Sequence, residues 1–188
     1  MSDLVVEPPA RAPWFLRPML WIARRMTGKD PLPGRLLAHF PRGALGAGVM
    51  ELTAAGAPGD LDGRTLAAAR IVASAVAGCP FCVDMNAATY ARAGLAREEL
   101  DVLLDLDEAR WPALGPRTAL AARYARALSR TPVTLDATLV AELRVAFSAR
   151  EVVTLATTIA QVNFWSRFNQ GLGVPSAGFF VEEACARE

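Results

Sequence analysis

Residues 61–94 read LDGRTLAAARIVASAVAGCPFCVDMNAATYARAG, and their punctuation decides the fold class. Asp62 stands where a helix N-cap belongs, an uninterrupted run of good helix formers follows, and Gly78 sits where such a helix must stop. Pro80 then occupies the first turn of a second helix, a position where its missing N–H costs nothing. That helix is expected to run to Gly94, so Cys79-Pro80-Phe81-Cys82 falls at a helix–helix junction.

The same reading extends outward in both directions. Pro13–Thr27 predicts a first helix closed by Gly28, and Leu32–Phe40 and Gly43–Ala55 predict two shorter ones separated by Pro41. Downstream, Glu98–Leu106 predicts a short helix, Pro116 opens another to Ser129, and Thr134 or Asp136 caps a segment reaching Phe147. Ser148-Ala149-Arg150-Glu151 is a capping box for a long helix to Gln170. No strand-like alternation or hairpin signal interrupts the series. The expectation is an all-α, single-domain helical bundle of about eight helices. Residues 1–12 form an extended, Pro-rich arm, 13–175 the domain and 176–188 a C-terminal tail, with both ends mobile.

Composition narrows the function. The chain has 188 residues, 20 Lys+Arg against 19 Asp+Glu and a net charge of +1, so no basic footprint for nucleic acid is present. Hydrophobic residues make up 53%. The longest uncharged apolar stretch, Ile71–Val83, nevertheless falls well short of the roughly 20 residues that span a bilayer. The surplus is therefore expected in a helical core or an oligomer interface. The opening MSDLVVEPPARAP lacks a basic segment followed by an apolar one, so the expected location is cytoplasmic. A first helix carrying Trp14, Phe15, Leu20, Trp21 and Ile22 is expected to pack on its own domain or on a neighbouring subunit rather than on a membrane.

Three cysteines cannot build a disulfide framework, but two of them lie three apart at a helix start. Their sulfurs can bond with little backbone movement, and the unpaired amides and positive dipole of a helix N-terminus favour thiolate over thiol. A thiol of pKa about 8.5 is about 3% ionised at pH 7, and lowering that value by two units would ionise about three-quarters of it. A metal site would need two more ligands. Only His39 and Cys185 remain outside the carboxylates, and neither has metal-site spacing to the pair, so no metal or cofactor is expected. Cys185 lies in a polar terminal stretch and is expected to be inert.

Gly78-Cys79-Pro80-Phe81-Cys82-Val83-Asp84-Met85, with the alanine-rich helix after it and Ala93-Gly94-Leu95, resembles the signature of the carboxymuconolactone decarboxylase superfamily, in its alkylhydroperoxidase D-like branch. The resemblance continues through Leu61-Asp62-Gly63-Arg64, Leu37-Ala38-His39-Phe40-Pro41, Leu120–Ala125, Leu128–Pro132 and Asn163–Asn169, and covers most of residues 32–175. It implies an all-α fold assembled as trimers or hexamers. In the peroxidase branch it implies a CxxC that reduces hydroperoxides or disulfides and is recycled by a thiol or lipoyl reductant. It further assigns Cys82 as the attacking thiolate and Cys79 as its resolving partner.

Two positions depart from that pattern. The branch carries a His four residues after the second Cys and a Glu twelve before the first, which together relay protons; here those positions are Asn86 and Ala67. An amide cannot relay a proton, and general acid–base catalysis is typically worth about a hundred- to ten-thousand-fold, so a weakened peroxidase is expected unless another residue substitutes. The candidates are Asn86 itself, one turn from Cys82 and able to donate to its sulfur; Ser74 on the preceding helix; Asp84, expected on a different, solvated face; Tyr90, two turns beyond Cys82; and the lone His39. Asn163 and Arg167 share a face of the last helix and can line the pocket by analogy with the family, whereas Tyr124 reads as core. Two alternatives stand beside the peroxidase: a redox-inactive oligomeric scaffold or binding protein, and a carboxylactone decarboxylase-type enzyme, the latter lacking a histidine near the motif.

Overall fold

The structure, a computed structural model, describes residues 4–54 and 61–180. Its elements are α1 (Arg17–Thr27), preceded by a 3-10 turn at Trp14–Leu16, then α2 (Leu32–Leu37), α3 (Pro41–Ala54), α4 (Gly63–Ala77), α5 (Pro80–Ala87) and α6 (Arg97–Leu104). A second 3-10 segment spans Glu108–Leu114 and leads into α7 (Pro116–Ser129), α8 (Ala137–Ala146) and α9 (Ala149–Gly171). No strand occurs among the described residues, so the fold is all-α.

The helix boundaries follow from local chemistry. Asp62 Oδ1 accepts from the Thr65 amide at 2.8 Å, Asp136 Oδ1 from Leu139 at 2.7 Å, and Ser148 and Glu151 exchange both bonds of a capping box. Each such cap is worth about 1 kcal/mol. Gly78 ends α4 at φ +66°, a conformation that L side chains rarely adopt. Pro41 does not separate α2 from α3; it opens α3, for the same reason that Pro80 opens α5 and Pro116 opens α7.

One expected element is shorter than its sequence suggested. α5 stops at Ala87, and residues 88–94 wind back in turns closed by Tyr90 N to Ala87 O and Leu95 N to Tyr90 O, with Gly94 at φ +83°. Tyr90 therefore does not continue the Cys82 face of a helix. Its ring lies edge-on to Phe180.

α4 occupies the centre. Ala67, Ala68, Ala69, Ile71, Val72 and Ala73 are all buried, because small side chains on every face let α7 and α9 pack closely around it. The main core joins these helices to Leu100 and Leu103 of α6, with Trp111 of the second 3-10 segment wholly buried and its indole N–H on Val102 O. Arg64 and Glu99 form a two-pronged ion pair between α4 and α6. Tyr124 is buried in this core, as its stripe predicts.

A second cluster holds Leu36, Cys79, Phe81, Cys82 and Val174, covered by Leu4, Trp165, Phe168 and Phe179. The ends of the described chain contribute to it. Val5 N donates to Leu172 O, and His39 Nε2 bonds Glu7 O, so the segment before Trp14 is tied to the body at two points. Residues 176–180 likewise turn back onto α5, where mobile ends had been expected. Cys185 lies outside the described residues.

Candidate functional site

Cys79 is the N-cap of α5 and Cys82 lies in its first turn, so the two sulfurs meet at the helix end. Their Sγ atoms are 2.7 Å apart, inside van der Waals contact but short of a covalent bond, and Cys79 Sγ also accepts from the Cys82 amide at 3.2 Å. Both are almost fully buried, at 0% and 1% exposure. The electrostatics separate them. The hydrogen bond from the Cys82 side chain is the largest influence on Cys79; together with the Cys82 amide, Ser166 and Asn169 it overcomes burial and lowers the Cys79 thiol to about 6. Cys82 is raised, first by holding the proton of that shared bond and second by burial. The asymmetry favours charge on Cys79 over Cys82, because only the N-cap sulfur accepts a helix amide.

The structure moves several sequence candidates away from the sulfurs. Asn86 Nδ2 donates to the Cys82 carbonyl at 2.8 Å rather than to its thiol, and Asn86 Oδ1 accepts from Arg70 Nε at 3.0 Å. Ser74 turns its hydroxyl onto Ile71 O of its own helix. His39 is exposed and occupied by Glu7 O. Asn163 bonds Ser129 and Ile159 O, and Arg167 reaches Thr131, so both face the end of α7. Ala67 is buried and apolar.

Asp84 is a correction of a different kind. Expected as a solvated acid, it is 8% exposed and accepts five hydrogen bonds from residues 176–180: the Ser176 hydroxyl and the amides of Ala177, Gly178, Phe179 and Phe180, at 2.7–3.1 Å. Burial alone would raise its carboxyl, but those donors outweigh it and the net shift is downward.

What surrounds Cys82 instead comes from α4, α9 and α3. Asn169 Nδ2 lies 3.5 Å from Cys82 Sγ, and Ser166 favours the thiolate at both cysteines. Asn169 Oδ1 is buried without a hydrogen-bond partner, and the Ser166 hydroxyl has only the two sulfurs to turn to. Behind them Arg70 Nη1 donates to Gln161 Oε1 at 3.2 Å, and Gln161 Nε2 donates to Glu51 Oε1 at 2.5 Å. Glu51 Oε1 also accepts from the Trp165 indole. Burial lowers the Arg70 guanidinium, while the Glu51 carboxylate and Cys82 oppose that shift; arginine stays charged in proteins.

Two sequence signals could have exposed this set. Arg70 is the lone charge in Leu66–Ala77, a run with apolar side chains on every face, and such a charge needs partners. Ser166 and Asn169 extend the buried stripe of Leu155, Ile159 and Val162, whereas Asn163 and Arg167 do not.

A cleft of about 460 Å³ opens over the N-terminus of α5, with Cys79, Pro80, Val83, Leu104, Ser176 and Phe180 among its walls. Among the described residues no three His, Cys, Asp or Glu side chains gather closely enough to hold a metal ion, and no helix is long and apolar enough to cross a membrane.

The chain matches known proteins along most of its length. The model of the carboxymuconolactone decarboxylase family matches residues 43–127. The uncharacterized protein YnjA of Escherichia coli (strain K12) is 30% identical over 177 residues, 92% of this chain and 94% of its own. The debrominase Bmp8 in complex with 2,3,4-tribromopyrrole superposes with a TM-score of 0.81 at 19% identity, covering 99% of this chain and 98% of its own. The alkylhydroperoxidase AhpD core of an uncharacterized peroxidase-related protein from Ralstonia eutropha JMP134 superposes with a TM-score of 0.80 at 18% identity, covering 96% of each chain. With a CxxC on a helix N-terminus inside this all-α fold, the chain belongs to the carboxymuconolactone decarboxylase family.

Proposed function

We propose that the protein is a dithiol oxidoreductase that reduces hydroperoxides through Cys79 and Cys82. The observation that carries this reading is the pair itself: a sulfur at a helix N-cap, lowered to about 6, with a second sulfur 2.7 Å away. The Cys79 thiolate attacks the distal peroxide oxygen, the O–O bond breaks, and the alkoxide leaves to take a proton from solvent. Cys79 is then a sulfenic acid. Cys82, as thiolate, displaces hydroxide from it to form the Cys79–Cys82 disulfide, and the Cys82 proton and hydroxide leave as water. A dithiol or lipoyl reductant returns the two electrons by thiol–disulfide exchange. Oligomerisation as trimers or hexamers, as the family resemblance implies, would cover the exposed Trp14, Trp21 and Leu52.

Stopped-flow measurement of hydroperoxide loss by the reduced protein tests the reading. Consumption of one equivalent with formation of one disulfide supports it; no consumption, with neither cysteine alkylating faster than a free thiol at pH 7, overturns it in favour of a scaffold with two packed cysteines. A second substrate class comes from the likeness to the debrominase. The same two electrons can replace a carbon–bromine bond by carbon–hydrogen, with bromide leaving and the disulfide forming. Assay with a bromopyrrole beside the hydroperoxide ranks the two.

A further inference from the structure

The family relay is missing at Ala67 and Asn86, yet the resolving step still needs Cys82 to ionise inside the fold. Among the described residues, its polar and charged surroundings come from α5, α9, α4 and α3. Cys79 approaches from the start of α5, Ser166 and Asn169 from α9, and Arg70 from α4 through Asn86; the Glu51 carboxylate of α3 stands behind Arg70 through Gln161. Asp84 is committed to residues 176–180 on another face. No proton passes from Cys82 to the Glu51 carboxylate through Arg70, Asn86 or Gln161, because an arginine does not deprotonate and an amide does not relay.

The arrangement can act by charge. We infer that Arg70 is a positioning residue that replaces the missing proton relay with a fixed positive charge: its guanidinium, oriented by Asn86 and Gln161 and partly balanced by Glu51, stabilises the Cys82 thiolate in the resolving step. Three observations converge on it. Arg70 is the single charge on the central helix between Leu66 and Ala77. Its Nε is fixed by the residue that stands at the family's histidine position, and that residue in turn bonds the Cys82 carbonyl. Finally, Cys82 is among the groups whose charge acts on Arg70, along with Glu51. Acid–base exchange has been replaced by an electrostatic field that holds no proton.

The inference rests on the dithiol reading, but its test uses no peroxide, so the two can fail separately. Cys79→Ser isolates Cys82, and the pH dependence of its alkylation by iodoacetamide reports its ionisation. Arg70→Met in that background is expected to raise the midpoint by about one unit, the lower end of what a neighbouring opposite charge does. Below both midpoints the thiolate population then falls about tenfold, while the greater nucleophilicity of a more basic thiolate recovers about threefold, for a net slowing of about threefold. Arg70→Lys is expected to keep most of the original midpoint. Glu51→Gln is expected to move it the opposite way, downward, by leaving Arg70 less balanced, and Glu51 is exposed enough for that variant to fold. Opposite shifts for Arg70→Met and Glu51→Gln support the inference. If Arg70→Met does not fold, the downward shift in Glu51→Gln carries the test alone. An unmoved midpoint in folded Arg70→Met, or in Glu51→Gln, overturns it and leaves Arg70 as a packing tie.

Discussion

The two faces of α5 carry polar residues of the same size that do opposite things. On one face Asp84 has both carboxylate oxygens occupied by five donors from residues 176–180. On the other, Ser166 and Asn169 border two sulfurs with Asn86 and Arg70 behind them, and Asn169 Oδ1 is buried with no partner. A satisfied buried carboxylate anchors structure. A half-satisfied polar shell around a pair of thiols is where chemistry can be done, since leaving such groups unpaired costs about 1–3 kcal/mol each.

Four experiments break or sharpen that contrast. The largest effect belongs to the sulfurs: Cys79→Ser or Cys82→Ser is expected to lower multiple-turnover hydroperoxide reduction by more than about a hundredfold, because a lone thiol cannot complete the disulfide cycle. Retention of turnover by either variant would move the chemistry elsewhere.

On the structural face, Asp84→Asn is expected to cost about 2–3 kcal/mol, read by urea unfolding, since an amide can accept at only one atom where the carboxylate accepts at both. The Asp84 carboxyl is lower when folded, so its stabilisation is complete above about pH 4 and is lost as pH falls through the folded value. Acid unfolding of Asp84→Asn should therefore lack that component, and the amides of Ala177–Phe180 should exchange faster. Unchanged stability would remove the clasp from the account.

A third measurement reads the thiol pair directly. With Cys79 at about 6, alkylation of the reduced protein should rise about tenfold between pH 5 and pH 7 and then level off. A single rise centred near pH 8.5 would mean that the N-cap geometry does not hold a thiolate.

The smallest effect is expected from rebuilding the family relay as Asn86→His with Ala67→Glu. Ala67 is buried in α4 and His removes the amide oxygen that holds Arg70 Nε, so a gain of less than about threefold in hydroperoxide rate is expected. A gain of a hundredfold or more would be the scale of restored acid–base catalysis. It would show that the site lacked only a proton carrier.

Much of the fold was legible because helix ends are local. Asp62, Gly78, Pro80, Pro116, Asp136 and the Ser148–Glu151 box each act within four residues, and each stands at the boundary its chemistry predicts. The end of α5 was not legible, since nothing between Ala87 and Gly94 breaks a helix by type. Site residues on α9 were misread by rotation: Asn163 and Arg167 share a face, but Ser166 and Asn169 share the one that meets the sulfurs. Which face turns inward depends on where α4 and α7 lie against it.

By itself, then, the sequence determined an all-α chain with a CxxC at a helix start and no histidine beside it, because caps, glycine stops and residue types are properties of neighbours in the chain. Tertiary structure decided which donors meet each sulfur and which side chains gather around the relay positions. Glu51, Arg70, Asn86 and Gln161 meet across separations of 16 to 110 residues, and Asp84 meets its donors across 92 to 96. Such partners are chosen by packing, which no local pattern encodes.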